Sequence, residues 1–182
     1  DKPPFKLLDI LYKKEFILFV VLVSILIINS NISPYFLDLY NLIDSTFLFS
    51  EKAIIALTMT FVIIARQIDL SVASIIAVSS VVLGYTTSLG YDTWLVLLLT
   101  LLSGALCGAF NGAIITKFAI PSIIVTIGTM SLFRGLAYSF LEDSYYNKFP
   151  NLVGKLGGGY VYGYVPYAFL TFILLAFVFA FI

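Results

Sequence analysis

The sequence predicts an all-α, polytopic bundle of transmembrane helices with about six spans. Three observations carry that prediction. The 182 residues are 61% hydrophobic and only 11% charged, where a soluble domain runs near half apolar and a quarter charged. The mean hydropathy is +1.07. The apolar residues fall into runs that approach the length needed to cross about 30 Å of hydrocarbon, parted by short polar or Gly/Pro breaks.

In chain order, Lys2, Lys6, Lys13 and Lys14 precede the first run. Lysines beside a span predict a cytoplasmic N-terminus. The first span covers Phe16 to Ile32. Pro34 to Ser50 reads as an external connection with a short interfacial helix. A second span follows from Leu48 to Ala65, with Glu51 and Lys52 in its outer turn. A polar knot, Arg66-Gln67-Ile68-Asp69-Leu70-Ser71, leads to a third span ending near Leu89. Gly90 to Trp94 forms an outer turn, and the fourth span runs from Trp94 to Thr116, with Lys117 at its inner end. Ile120-Pro121-Ser122 starts the fifth, since Pro is tolerated in a first helical turn. Glu142 to Gly159 is the longest polar stretch. Tyr160, Tyr162, Tyr164 and Tyr167 read as an aromatic belt. The sixth span begins near Pro166 and is still apolar at Ile182, so residues 1–182 read as the N-terminal part of one longer membrane domain.

The polar residues within this frame are few. Arg66 and Asp69 each cost roughly 2.5 to 3.5 kcal/mol at a membrane centre, so their knot is either a plain cytoplasmic turn or a working element. If helical, the two can pair across three residues; otherwise Asp69 can cap the third span, two residues before Ser71. Gly104, Gly108 and Gly112 recur every four residues beside Asn111, a face that lets another backbone approach, in the same subunit or in a neighbour. Ser122, Thr126 and Thr129 share one side of the fifth span and either line a polar path or pack tightly. Arg134 either snorkels outward or faces inward.

Much chemistry is excluded. There is no His, which removes the commonest base and metal ligand, and no metal or cofactor site is expected on this chain. Cys107 is single and sits in an apolar run. A net charge of zero argues against nucleic acid. Gly154-Lys155-Leu156 is not a phosphate loop. The chain is expected not to be an enzyme.

Three motifs in order carry a resemblance: Ile68 to Ser74, Gly104 to Gly112, and Ile120 to Met130 with Arg134 to Tyr138. Over about Asn41 to Tyr138 the chain resembles the membrane permease subunits of bacterial sugar ABC importers, the ribose, galactose and xylose group. Asn41 to Phe47, Glu51-Lys52-Ala53 and Ile68 to Ala77 look most like the rhamnose-type branch. Ala65-Arg66-Gln67 departs from the family, which usually has Gly or Glu before the Ile-Asp-Leu-Ser motif, as does Ala73, where many members have Gly. The resemblance implies a multi-pass inner-membrane protein that forms a translocation path for a monosaccharide such as rhamnose. It implies a second permease subunit, cytoplasmic ATP-binding subunits and a periplasmic sugar-binding protein as partners, with ATP bound elsewhere. Ser122, Thr126 and Thr129 are then the path candidates, and Arg66, Asp69 and Ser71 the gating candidates. A gradient-driven secondary transporter is the alternative.

Overall fold

The computed structural model describes residues 14–141 and 145–181. The expectations resting on Lys2, Lys6, Lys13, Glu142 and Ile182 lie outside those residues. Seven helices and one small hairpin follow in order: α1 (Lys14–Ile32), α2 (Leu39–Ile64), α3 (Val72–Ser88), α4 (Thr93–Phe118), α5 (Ser122–Leu141), α6 (Asn151–Gly158), β1 (Tyr160–Val161), β2 (Val165–Pro166) and α7 (Tyr167–Phe179).

The all-α bundle holds, with fewer than the expected six spans among the described residues. Four helices, α1, α2, α4 and α5, are long and apolar enough to cross a membrane. With 17 residues, α3 reaches about 25 Å at 1.5 Å per residue, short of the hydrocarbon thickness; the 13 residues described for α7 cover about 20 Å. The start of α3 is delayed because residues 67–71 stay non-helical. The start of α7 is fixed by Pro166, which belongs to β2.

The second span also starts earlier than expected. Leu39 to Ile64 is one helix, so the supposed external connection between Leu39 and Ser50 is helical, and Glu51 and Lys52 sit at mid-helix, both exposed. The polar residues that suggested a loop return their hydroxyls to the helix itself. Ser45 Oγ donates to the Asn41 carbonyl at 2.6 Å, and Thr46 and Ser50 do the same to Ile43 and Thr46. Back-bonding of this kind lets hydroxyl residues sit inside a helix without open polar groups.

Packing divides the chain into two groups. In one, α3 lies against both α4 and α5, which also touch each other. In the other, α2 packs along α7 and β2, through edge contacts of Phe49 with Phe172 and of Phe61 with Phe179. No residue of α1 is buried, and an apolar surface on every side is what a lipid-facing helix presents.

The polar stretch before the aromatic belt contains α6, and the belt itself is partly a hairpin. Tyr160 pairs with Pro166 and Val161 with Val165. Tyr162 and Gly163 both have positive φ, the pattern of a tight mirror-image turn.

Candidate functional site

The polar knot is where the three motifs meet. Two bonds close the end of α2: the Arg66 N–H donates to the Ile63 carbonyl at 2.9 Å and the Gln67 N–H to that of Val62 at 3.0 Å. This is a Schellman ending, which places one residue in the left-handed region, normally a Gly. Here that residue is Arg66, with φ +57°. A side chain in that conformation costs about 1–2 kcal/mol. The Arg66–Asp69 helical pairing is therefore absent, and Arg66 lies exposed.

Beyond Arg66 the backbone is held by side chains from far along the sequence. The Ile68 N–H donates to Ser122 Oγ at 3.0 Å, and Thr126 Oγ1 donates to the Ile68 carbonyl at 3.3 Å. Two hydroxyls one turn apart on α5 thus grip both polar groups of one residue. Pro121 sets this up by starting α5, whose first turn then presents Ser122 to the knot.

Asp69 holds the start of α3. Its Oδ1 accepts from the Ser71 N–H at 2.7 Å and from Ser71 Oγ at 2.6 Å, an Asx turn. The Ser71 carbonyl then accepts from the N–H groups of Ser74 and Ile75 and from Ser74 Oγ at 2.7 Å, which begins the helix. Ser71 has no exposed surface. Its single hydroxyl proton is committed to Asp69, so the oxygen can only accept from its other neighbour. That neighbour is Asn111 of α4, whose Nδ2 donates to Ser71 Oγ at 2.8 Å. The bond fixes the orientation of the amide, and it leaves the buried Asn111 Oδ1 with no partner among the described residues.

Asp69, Ser71, Asn111, Ser122 and Thr126 are therefore one polar cluster. Thr129 stands one turn further along α5, buried, with Oγ1 donating to the Thr126 carbonyl at 3.4 Å. Beside the cluster lies a groove of about 350 Å³, walled by Phe61, Val62 and Ala65 of the α2 end and by Gly108, Asn111 and Gly112 of α4. The glycine face is not uniform. A Cβ at Gly104 would stand 3.2 Å from Ser79 Oγ, so the close approach of α4 to α3 occurs there. At Gly108 and Gly112 a Cβ would meet nothing within 4 Å. Among the described residues, no group of three His, Cys, Asp or Glu side chains is placed to hold a metal.

Arg134, open on sequence grounds to snorkelling or to an inward role, is exposed and lines a cavity between α3 and α5. Two further features carry no signal in the sequence. Gly84 makes room for the ring of Tyr146, which a Cβ would meet at 2.5 Å. The Tyr160 hydroxyl donates to Asp44 Oδ1 of α2, and that bond, with lesser contributions from burial and nearby negative charge, raises the phenol above its usual range. Tyr160 also stacks on Phe47. No local signal in the sequence links residues 116 apart.

Comparison with known proteins places these residues in context. The family model described as branched-chain amino acid transport system / permease component matches residues 41–182. An autoinducer 2 import system permease protein of Klebsiella pneumoniae is 38% identical over 66% of this chain and 36% of its own length. A ribose import permease protein of Haemophilus influenzae is 33% identical over 80% of this chain and 46% of its own. A second autoinducer 2 import system permease protein, from Photorhabdus laumondii, is 32% identical over 85% and 47%. The chain spans between about a third and a half of the length of these curated relatives. No solved structure matches it.

Proposed function

The chain belongs to the branched-chain amino acid transport system / permease component family, and from that premise we propose that it is part of the membrane-spanning subunit of an ATP-driven importer for a monosaccharide or a related polyhydroxylated solute. The observation that supports this most directly is the clip at Ile68. Between α2 and α3 the chain is non-helical, and Ser122 and Thr126 satisfy both polar groups of Ile68 beside an open groove. A helix break of that kind is where a transport protein bends or opens.

In this reading Ser122, Thr126 and Thr129 act at the wall of the path. The first two hold the knot in register; Thr129 backs Thr126. Asp69 and Ser71 are the gating element, and Arg66 precedes it. Gly108, Asn111 and Gly112 form the facing wall. The subunit pairs with a second permease, engages cytoplasmic ATP-binding subunits and receives solute from a periplasmic binding protein, in the inner membrane with its N-terminus in the cytoplasm. The relatives named for ribose and autoinducer 2 make D-ribose the first solute to test, and the rhamnose-type motifs make L-rhamnose the second.

The test is uptake by inverted and right-side-out vesicles carrying the full-length protein with its co-purifying subunits. Import that requires ATP and survives collapse of the proton and sodium gradients supports the importer. Import that needs a gradient and no ATP overturns it in favour of a secondary transporter. If Thr126→Val and Thr129→Val both transport normally at normal expression, these residues do not belong to the path.

A further inference from the structure

A cavity of about 590 Å³ lies between α3, α5 and the segment 145–149. Arg134, Ser80, Tyr138, Tyr145, Tyr146 and Phe149 are among its walls. Resting on the permease reading above, we propose that this cavity is a saccharide-binding subsite of the path, in which tyrosine rings take the C–H face of a neutral sugar and Arg134 donates to its hydroxyls.

Four observations carry the assignment. Arg134 lies on α5 12 residues from Ser122 and 7 from Leu141, exposed on the cavity wall, where its charged head is free to meet a ligand. A guanidinium offers five donors and no acceptor, which suits the oxygens of a polyol. The aromatic walls offer electron-rich ring faces to the weakly positive C–H groups of a sugar. The volume falls within the range of about 300–1,000 Å³ typical of small-molecule sites.

The fourth observation is that the fold makes room for one of these rings. Tyr146 lies directly on the backbone of α3 at Gly84, where a Cβ would stand 2.5 to 2.7 Å from Tyr146 atoms. Any other residue at 84 would push the ring out of place. A neighbouring cavity of about 280 Å³ on the same two helices supplies the contrast: Val78, Val82, Tyr85, Leu136 and Phe140 line it, with no charged group. That lining fits a lipid tail. The Arg134 cavity differs in carrying a cation and several tyrosine and serine hydroxyls where its neighbour has the single hydroxyl of Tyr85. Arg134 is also the one cation among its lining residues, which favours a neutral polyol over a phosphate.

The site is tested on the full-length complex in nanodiscs, in a background free of other cysteines, with Ala77→Cys as the reporter and Ser80→Cys as a second reporter should the first fold poorly. Labelling by a membrane-impermeant maleimide is timed with and without saturating D-ribose or L-rhamnose, whichever the wild-type complex imports. The expected result is labelling that the imported sugar slows several-fold. That protection should be lost in Arg134→Gln and Tyr138→Ala and kept in Tyr138→Phe. Absent labelling at both reporters, or labelling that an imported sugar leaves unchanged, overturns the subsite while leaving the importer reading intact. Import of neither sugar overturns the functional reading, and the subsite with it.

Discussion

The two packed groups of this chain are held together by different physics. Between α2 and α7 the contacts are aromatic and interchangeable: Phe61 meets Phe179 edge-on with centroids 5.2 Å apart, and Phe49 meets Phe172 likewise. In the α3–α4–α5 trio the contacts are directional. Ser122, Thr126 and Asn111 each bond one specific atom of the knot, from residues 40 to 58 positions away. Within a membrane, apolar packing between helices competes with equally apolar lipid, whereas interhelical hydrogen bonds add a preference for one register. The trio is therefore the part with a unique geometry, and the part where a path can be built.

That contrast predicts unequal responses to substitution. Asp69→Ala should have the largest effect. It removes the acceptor of both the Ser71 N–H and the Ser71 hydroxyl, and hydrogen bonds to a charged group are worth about 1.5–3 kcal/mol each. A loss of about 3–6 kcal/mol in unfolding free energy, measured for the full-length protein in mild detergent, would agree; a loss no greater than in an exposed-residue control would break the contrast.

Arg66→Gly should act in the opposite direction. The left-handed conformation at +57° is relaxed by Gly, so the knot should gain about 1 kcal/mol of stability with its hydrogen bonds unchanged. No gain would mean that the Arg66 side chain makes a compensating contact. In the aromatic group, Phe61→Leu should cost about 1 kcal/mol, since a hydrophobic swap of similar volume is absorbed by repacking. A cost matching that of Asp69→Ala would remove the distinction between the groups.

The smallest effect concerns the hairpin at the edge of the aromatic group. Tyr160 donates to Asp44, and its folded pKa lies above the ordinary value of 10.0. The raised value means that the contact contributes fully below pH 10 and is lost as pH rises through the folded pKa. Tyr160→Phe should flatten this alkaline loss of stability; an unchanged pH profile would show that the pair does not couple to folding.

The sequence is informative about the trio because its polar residues are scarce and patterned. Pro121 marked the start of α5 to within a residue, and the Ile68 to Ser71 motif announced something other than a span. What no local pattern could supply is that Ser122 Oγ and Thr126 Oγ1 close on the same residue, Ile68, 54 and 58 positions earlier. The start of α2 was misplaced for a physical reason. Asn41, Ser45, Thr46 and Ser50 look like loop residues, yet the three hydroxyls among them bond carbonyls within the helix, and Ser50 is fully buried. The glycine face was half legible: spacing located the stripe, but only the fold shows that Gly104 makes the close approach and that Gly108 and Gly112 border a groove.

The most direct test of the claim that the three motifs form one unit is a double-mutant cycle on Asp69→Ala and Asn111→Ala in the full-length protein. Both side chains bond Ser71 Oγ, so removing the second after the first should have little left to disrupt. The sum of the two single losses should exceed the double-mutant loss by about 0.5–3 kcal/mol. Losses that add to within about 0.5 kcal/mol would show that Asp69 and Asn111 act independently, and the knot would be a turn that happens to lie beside α4.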